Sequence, residues 1–236
     1  MITIFTHVRP FENEFDAIQR TAIASWQTQG VDTQVVLFGD DLDSRLIAKG
    51  LGINWLPSKV TPMNYPSFAH LFIDIETHYP SDWYLEVSSD IVLSGLNIAL
   101  PILESWAHLF TRPLVIGQRI DVEVGPHSRV IPQYHPPSAV DYFLYKKGTL
   151  GDIPLFNIGR TVYDNWLVWA ARDLWNMQVV NATEAITAYH LNHTHPEHGN
   201  KARMLDSAAR QYNLDLARAT GANAWLGVDN ANYTLP

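Results

Sequence analysis

Short apolar, β-rich runs alternate with amphipathic stretches along the first half of the chain. The apolar runs predict strands at residues 2–6, 34–38, 83–87 and 114–117. Apolar positions at helical spacing predict helices at residues 13–29, 42–50, 67–78 and 98–109. This alternation indicates an α/β fold with a mostly parallel central sheet and helices on both faces.

The second half of the chain changes character. Residues 118–160 are rich in proline, glycine, histidine and tyrosine, and their one short apolar run is 142–145. We expect a long irregular segment here, which in a compact domain usually serves function. The pattern then predicts helices at residues 161–176 and 201–218 and strands at residues 178–180 and 185–189. No repeat or linker divides residues 1–236, so we expect one domain.

Composition narrows the class of protein. Hydrophobic residues make up 47% of the chain and charged residues 17%, which is enough for a full core. The absence of cysteine excludes disulfides, thiol catalysis and thiolate metal sites, and we expect a cytoplasmic protein. No apolar run approaches the length of a membrane span. The net charge of −8 disfavours nucleic acid as a partner.

Small polar residues and one acid follow the strand predicted at 83–87. They are Ser88, Ser89 and Asp90. The carboxyl ends of parallel strands are where open α/β sheets bind ligands. A carboxylate at this edge suits a hard divalent cation that also binds substrate phosphates. The alternative interpretation is an Asp-initiated turn with no ligand.

Further polar residues follow the first two predicted strands. Thr6, His7 and Arg9 come after the first strand, and Asp40 comes after the second. Parallel strands would place all of them at the same ligand-binding edge. Arg9 or Arg20 would suit a phosphate, which a guanidinium binds through two parallel hydrogen bonds. Arg20 lies beside the apolar stripe of the first helix, so a structural ion pair is equally consistent with its position.

The histidines near the C-terminus and several aromatic residues have two interpretations each. His190, His193, His195 and His198 lie within nine residues, which is typical either of a zinc-binding tract or of a solvated loop. Three tryptophans of the 161–176 helix recur at spacings of three and six, which predicts that they are buried. They are Trp166, Trp169 and Trp175.

Several of these segments resemble, in their order, a small GT-A glycosyltransferase of the nucleotide-diphospho-sugar transferase superfamily. The segments are residues 19–26, Phe38-Gly39-Asp40-Asp41, Ser88-Ser89-Asp90-Ile91-Val92-Leu93, residues 158–167 and Asn181-Ala182-Thr183 with the histidines. The resemblance covers roughly Ile2 to His195. Ser88-Ser89-Asp90 stands in the position of the DxD motif, with serine in place of the first acid.

The resemblance implies a hexosyltransferase-like enzyme that moves a sugar from a nucleotide-diphospho-sugar, most often a UDP-sugar, to an acceptor hydroxyl. Mn²⁺ or Mg²⁺ would be held by Asp90, His190 and His193. The nucleotide-sugar would be bound by Thr6, His7, Arg9, Arg20, Asp40, Ser88 and Ser89. Residues 1–117 would form the nucleotide-sugar-binding half, and residues 118–236 the acceptor-side half. Aromatic residues of the irregular segment would stack on a sugar: Tyr134, His135, Tyr142 and Tyr145.

Asp164 would be the general base of an inverting reaction, by resemblance to the acid found at this point in inverting members. Its structural alternative is a capping box, with Thr161 at the N-cap and Asp164 at N3.

Two other function classes fit parts of the sequence. A nucleotidyltransferase normally has a glycine-rich phosphate loop after its first strand, and Thr6-His7-Val8-Arg9-Pro10-Phe11 contains no glycine. A non-catalytic sugar- or nucleotide-binding module of the same fold is consistent with the serine at position 88. The sequence leaves the acceptor, a glycan or a small molecule, and the oligomeric state open.

Overall fold

The first half of the chain alternates strands with helices, as its periodicity predicts. The computed structural model describes residues 1–123, 129–193 and 207–236. The strands are β1 (Ile2–His7), β2 (Thr33–Gly39), β3 (Asn54–Pro57), β4 (Trp83–Val87), β5 (Ile91–Ser94) and β6 (Pro113–Gly117). The helices are α1 (Asn13–Gln27), α2 (Leu42–Gly50), α3 (Phe68–His78) and α4 (Leu96–Ser105).

The second half contains more strands than its composition predicts. The strands are β7 (Arg119–Glu123), β8 (Arg129–Tyr134), β9 (Tyr142–Lys146), β10 (Gln178–Asn181), β11 (Thr187–Asn192) and β12 (Tyr233–Thr234). The helices are α5 (Tyr163–Trp169), continued by a π-helical turn (Ala170–Leu174), and α6 (Ala208–Ala219). The expectation of one long irregular segment over residues 118–160 is therefore wrong. Apolar and polar residues alternate strictly in β7, which is the pattern of a half-buried strand.

The central sheet has eight strands in the order β12-β10-β6-β9-β4-β1-β2-β3. Strand β9 runs antiparallel to both of its neighbours, β4 and β6, while all other neighbours in this sheet pair in parallel. The prediction of an α/β fold with a mostly parallel central sheet is confirmed.

Helices cover both faces of the central sheet. Successive residues of β1 point to opposite faces. Ile4 packs on one side in a core that includes Trp26 of α1. Phe5 packs on the other side against Phe72 of α3, with ring centroids 5.5 Å apart. The sheet therefore separates two hydrophobic cores.

Buried aromatic residues fill the core beneath α3 and α5. Trp166 and Trp169 are buried, as predicted, whereas Trp175 is only partly buried and packs against Trp166. Tyr142 and Tyr145 are also fully buried, so the prediction that they stack on a sugar is wrong. They lie on β9, which runs through the middle of the sheet and is covered on both faces.

A second, four-stranded sheet in the order β5-β11-β7-β8 was not predicted. Strand β11 pairs with β5 on one side and with β7 on the other. In this register His190 lies opposite Ile91 of β5 and opposite Asp121 of β7. His190 thus lies inside a strand that extends to Asn192, not after a strand that ends at residue 189. The small sheet brings residues from distant parts of the chain to one edge.

Among the described residues, no helix has the length and apolar character that a bilayer crossing requires.

Candidate active site

A cavity of about 410 Å³ lies at the carboxyl edge of the central sheet. Its lining comes from the ends of β1 and β4 and from the segments that precede α3 and α5. Most of the sequence-predicted donor-site residues lie together here: Thr6, His7, Arg9, Ser88, Ser89 and Asp90. These residues meet because β1 and β4 are parallel neighbours, so the carboxyl ends of both strands lie at the same edge of the sheet.

Asp90, His190 and His193 converge at one side of this cavity. Asp90 Oδ2 lies 3.5 Å from His190 Nε2 and 3.2 Å from His193 Nε2. One ligand atom from each of the three side chains lies within 4.8 Å of the others. Burial alone would raise the pKa of Asp90, but hydrogen bonds from the two imidazoles outweigh it and hold this pKa well below its usual range.

This donor set fits a divalent cation. One carboxylate oxygen and two imidazole nitrogens suit Mn²⁺, which accepts nitrogen ligands more readily than Mg²⁺ does. Three protein ligands leave coordination positions for oxygens of a bound ligand. Two other histidines of the predicted zinc-binding tract, His195 and His198, lie outside the described residues.

Asp121 holds the far side of the His190 ring. Its Oδ1 lies 3.1 Å from His190 Nδ1, and its Oδ2 lies 3.0 Å from His135 Nε2. The Arg119 guanidinium binds Asp121 at 3.2 Å and Asp141 at 2.8 Å. Asp121 was not among the predicted site residues, although the alternation of β7 marks it as a strand residue on the same face as Arg119.

Phe15 of α1 lies between two residues of the site. The Arg9 guanidinium carbon is 5.0 Å from the centroid of the Phe15 ring. The His193 ring is 4.7 Å from the same centroid. Arg9 therefore belongs to the side of the cavity on which Asp90, His190 and His193 converge.

Asp40 and Arg20 lie outside the lining of the cavity. Asp40 Oδ2 is 3.7 Å from Nε2 of His7, and the nearby imidazole lowers the pKa of Asp40. Arg20 has a salt-bridge partner on its own helix. It forms an ion pair with Asp16 at 2.8 Å and lies over the ring of Phe11, which is the structural role that its position on α1 allows.

Asp164 lies in the first turn of α5, beside Tyr163, which lines the cavity. The predicted capping box is absent. The helix begins at Tyr163, and the preceding N-cap residue, Val162, lies in the left-handed region (φ 86°) and gives no side-chain cap. Thr161 Oγ1 instead accepts a hydrogen bond from Arg210. Burial raises the pKa of Asp164 to about 6 despite a hydrogen bond from the Asn165 backbone N–H. Asp164 is therefore ionised at neutral pH but protonates readily.

Glu86 is a site residue that the sequence analysis missed. It lies on β4 and lines the cavity. Burial raises its pKa to about 8, and the charges of Asp141 and Asp164 add to the rise. Glu86 is therefore protonated at neutral pH. Its signal in the sequence is a single acid inside the apolar run of β4.

Glu86→Gln is expected to remove a pH-dependent loss of stability. The folded pKa of about 8 exceeds the ordinary value of 4.5, so the folded state keeps a proton that the unfolded chain releases between these values. The free energy of unfolding of the wild type therefore falls as pH rises, by at most about 1.4 kcal/mol per pH unit.

Urea unfolding at pH 5 and pH 8 measures this effect. The variant should gain stability over the wild type at pH 8 relative to pH 5. Glu104→Gln, at an exposed position of α4, serves as the control and should follow the wild type at both pH values. An equal difference between Glu86→Gln and wild type at both pH values contradicts the expectation.

Comparison with known proteins supports the fold. No protein-family model and no curated protein matches the chain. Staphylococcus aureus TarS 1–349 in complex with UDP-GlcNAc superposes with a TM-score of 0.58 and 12% identity, over 97% of this chain and 68% of that one. GalNAc-T7 with UDP, GalNAc and Mn²⁺ gives a TM-score of 0.59 and 9% identity. The chain has a GT-A glycosyltransferase fold.

The match to GalNAc-T7 covers 92% of this GT-A chain but 48% of that protein. The chain thus spans about half the length of GalNAc-T7. At this level of identity the likeness concerns the GT-A fold alone.

Proposed function

We propose that this protein is a metal-dependent glycosyltransferase that moves a sugar from a nucleotide-diphospho-sugar to an acceptor hydroxyl. The observation that carries the proposal is the convergence of Asp90, His190 and His193 beside a cavity at the ligand-binding edge of a GT-A fold. UDP and Mn²⁺ are our choices, because TarS is known with UDP-GlcNAc and GalNAc-T7 with UDP and Mn²⁺.

In this proposal Asp90, His190 and His193 hold Mn²⁺, and Mg²⁺ is the second choice. The cation would offset the charge that develops on the leaving diphosphate. Ser88 replaces the first acid of the motif, so Asp90 is its one carboxylate. Around it, Thr6, His7, Arg9, Ser88 and Ser89 bind the donor, and Asp40 acts through His7. We propose a structural role for Arg20.

Asp164 is the proposed general base. The acceptor oxygen attacks the anomeric carbon, its proton passes to the Asp164 carboxylate, and the bond between that carbon and the diphosphate oxygen breaks. Displacement from the opposite side inverts the configuration. A pKa of about 6 leaves Asp164 ionised at neutral pH yet basic enough to accept a proton.

We propose that residues 1–117 form the donor half and residues 118–236 the acceptor-side half. The two metal-binding histidines are the exception, because β11 carries His190 across to the donor side. The proposed acceptor is a glycan or a small molecule.

A thermal-shift panel of UDP, GDP, CMP and ADP, each with and without Mn²⁺, tests the proposal. A ligand that binds only the folded state raises its stability, by about 2.7 kcal/mol at 100 times the dissociation constant. We expect UDP to stabilise the protein strongly only when Mn²⁺ is present. Stabilisation by Mn²⁺ alone, with no further stabilisation by any nucleotide, would reject the enzyme in favour of a metal-binding module.

Asp121→Asn is expected to weaken Mn²⁺ binding by about 10–100-fold. A carboxylate that accepts a hydrogen bond from the second nitrogen of a ligating imidazole fixes the ring and raises its basicity. The side-chain Oδ1 of Asn192, 2.9 Å from the same His190 Nδ1, remains in the variant and limits the loss.

Electron paramagnetic resonance of free Mn²⁺ measures the dissociation constant directly. Glu123→Gln, on the same strand and paired with exposed Arg129, is the matched control and should bind Mn²⁺ as the wild type does. An Asp121→Asn protein with unchanged affinity would show that Asp121 does not position His190.

A further inference from the structure

Arg160 presents an unsatisfied guanidinium nitrogen at the proposed active site. The side chain lines the cavity and lies over the ring of Tyr65, with its guanidinium carbon 4.7 Å from the centroid. One terminal nitrogen donates to the Tyr65 hydroxyl and the other to the Gly159 carbonyl. Its Nε is buried and has no hydrogen-bond acceptor among the described residues. The arginine ion pairs of the described residues do not include Arg160.

The backbone that carries Arg160 is held in place by buried amides. Asn213 of α6 donates to the carbonyl oxygens of Asn157, Arg160 and Thr161, at 3.1–3.3 Å. The Asn157 backbone N–H donates to Asn213 Oδ1 at 2.8 Å. Both asparagines are fully buried. The position of Arg160 is therefore set before any ligand binds, which lowers the entropic cost of binding.

This arrangement is matched to an oxyanion. Each terminal nitrogen of Arg160 donates one of its two N–H groups to a described residue, so the guanidinium keeps further N–H donors for an anion that enters the cavity. Guanidinium groups bind carboxylate and phosphate oxygens through charge-assisted hydrogen bonds. The other arginine of the cavity, Arg9, lies beside Phe15 and His193 on the metal-binding side.

Arg160 instead precedes α5, four positions before Asp164. An acceptor hydroxyl must approach Asp164 to lose its proton, and Arg160 lies on the segment that leads into the helix carrying Asp164. We propose that the acceptor carries an anionic group, a phosphate or a carboxylate, which Arg160 binds. This inference rests on the proposed function, and it names the class of acceptor: a negatively charged hydroxyl compound.

Sulfate binding to the protein saturated with UDP and Mn²⁺ tests the inference. Inorganic sulfate is the probe, titrated at constant ionic strength and followed by thermal shift. We expect sulfate to stabilise the UDP complex further. Arg160→Gln should weaken sulfate binding by about tenfold or more while UDP affinity stays at the wild-type value. Arg20→Gln, which removes an arginine outside the cavity lining, should bind sulfate as the wild type does.

Several results would overturn the inference. Sulfate that competes with UDP, or an Arg160→Gln protein with weakened UDP affinity, would assign Arg160 to the donor diphosphate. Equal sulfate binding by wild type and Arg160→Gln, or none by either, would also overturn it. Arg160→Lys keeps the charge without the planar fork, and it supplies the comparison where the glutamine variant does not fold. Absence of UDP binding to the wild type would instead reject the proposed function.

Discussion

Asp90→Asn is expected to abolish the Mn²⁺-dependent part of UDP binding. The substitution removes the one carboxylate of the metal triad and leaves two imidazoles that would face an amide oxygen. Loss of an outer partner of a ligand already costs about 10–100-fold in metal affinity, so loss of the ligand itself should cost at least about 100-fold. Turnover should fall by about 10³-fold or more, since the charge of the leaving diphosphate loses its counter-ion.

Calorimetric titration of UDP, with and without saturating Mn²⁺, measures the first effect. Asp32→Asn is a matched control at an exposed position away from the cavity, and it should retain metal-linked binding. The residual, metal-independent affinity for UDP should be the same in wild type and Asp90→Asn. A variant whose UDP affinity still rises with Mn²⁺ would reject Asp90 as a metal ligand.

Asp164→Asn should lose catalysis while keeping donor binding. General base catalysis contributes about 10²–10⁴-fold, so the turnover number should fall by that factor. The affinity for UDP with Mn²⁺ should not change, because Asp164 does not line the cavity that holds the donor. This contrast separates the proposed base from the proposed metal site.

The pH profile gives a second signature of Asp164. The base acts as the carboxylate, and burial raises its pKa to about 6. Wild-type turnover should therefore rise as pH increases through about 6 and then level off, and the residual turnover of the variant should lack this rise. Release of UDP from a UDP-hexose, followed between pH 5 and pH 8, measures both profiles.

Asp173→Asn changes an exposed acid just after α5 that pairs with Arg172, and it should behave as the wild type. If the acid limb near pH 6 persists in Asp164→Asn, another group is the base, and Asp141 becomes the candidate to replace next.

The sequence predicts those helices and strands whose apolar residues recur at a regular spacing. The parallel strands of the first half and the position of Asp90 follow from apolar runs and the residues that end them. The burial of Trp166 follows from helical spacing. Tyr142 and Tyr145 were placed wrongly, because proline and glycine on either side of β9 conceal a strand that lies in the centre of the sheet.

The environment of the metal triad depends on pairing between distant strands. Nothing local to Thr187–Asn192 indicates that β11 lies between β5 and β7. That register alone places Asp121 against His190, so the carboxylate–imidazole contact could not be predicted. The role of Arg20 on α1 was equally beyond prediction from the sequence. Asp16 lies one turn away, but the choice between an ion pair and a phosphate contact depends on where the Arg20 side chain points.

The antiparallel strand β9 has a consequence for assembly of the protein. It is the sole link in the central sheet between the β4 side and the β6 side, and it pairs with both. Asp90 and His193 are 103 positions apart, on segments that flank β9 in the chain. The proposed metal-binding triad can therefore form only after synthesis has passed residue 193. Cation binding would then report that β11 has joined the sheet, because the binding energy becomes available only once His190 and His193 lie beside Asp90.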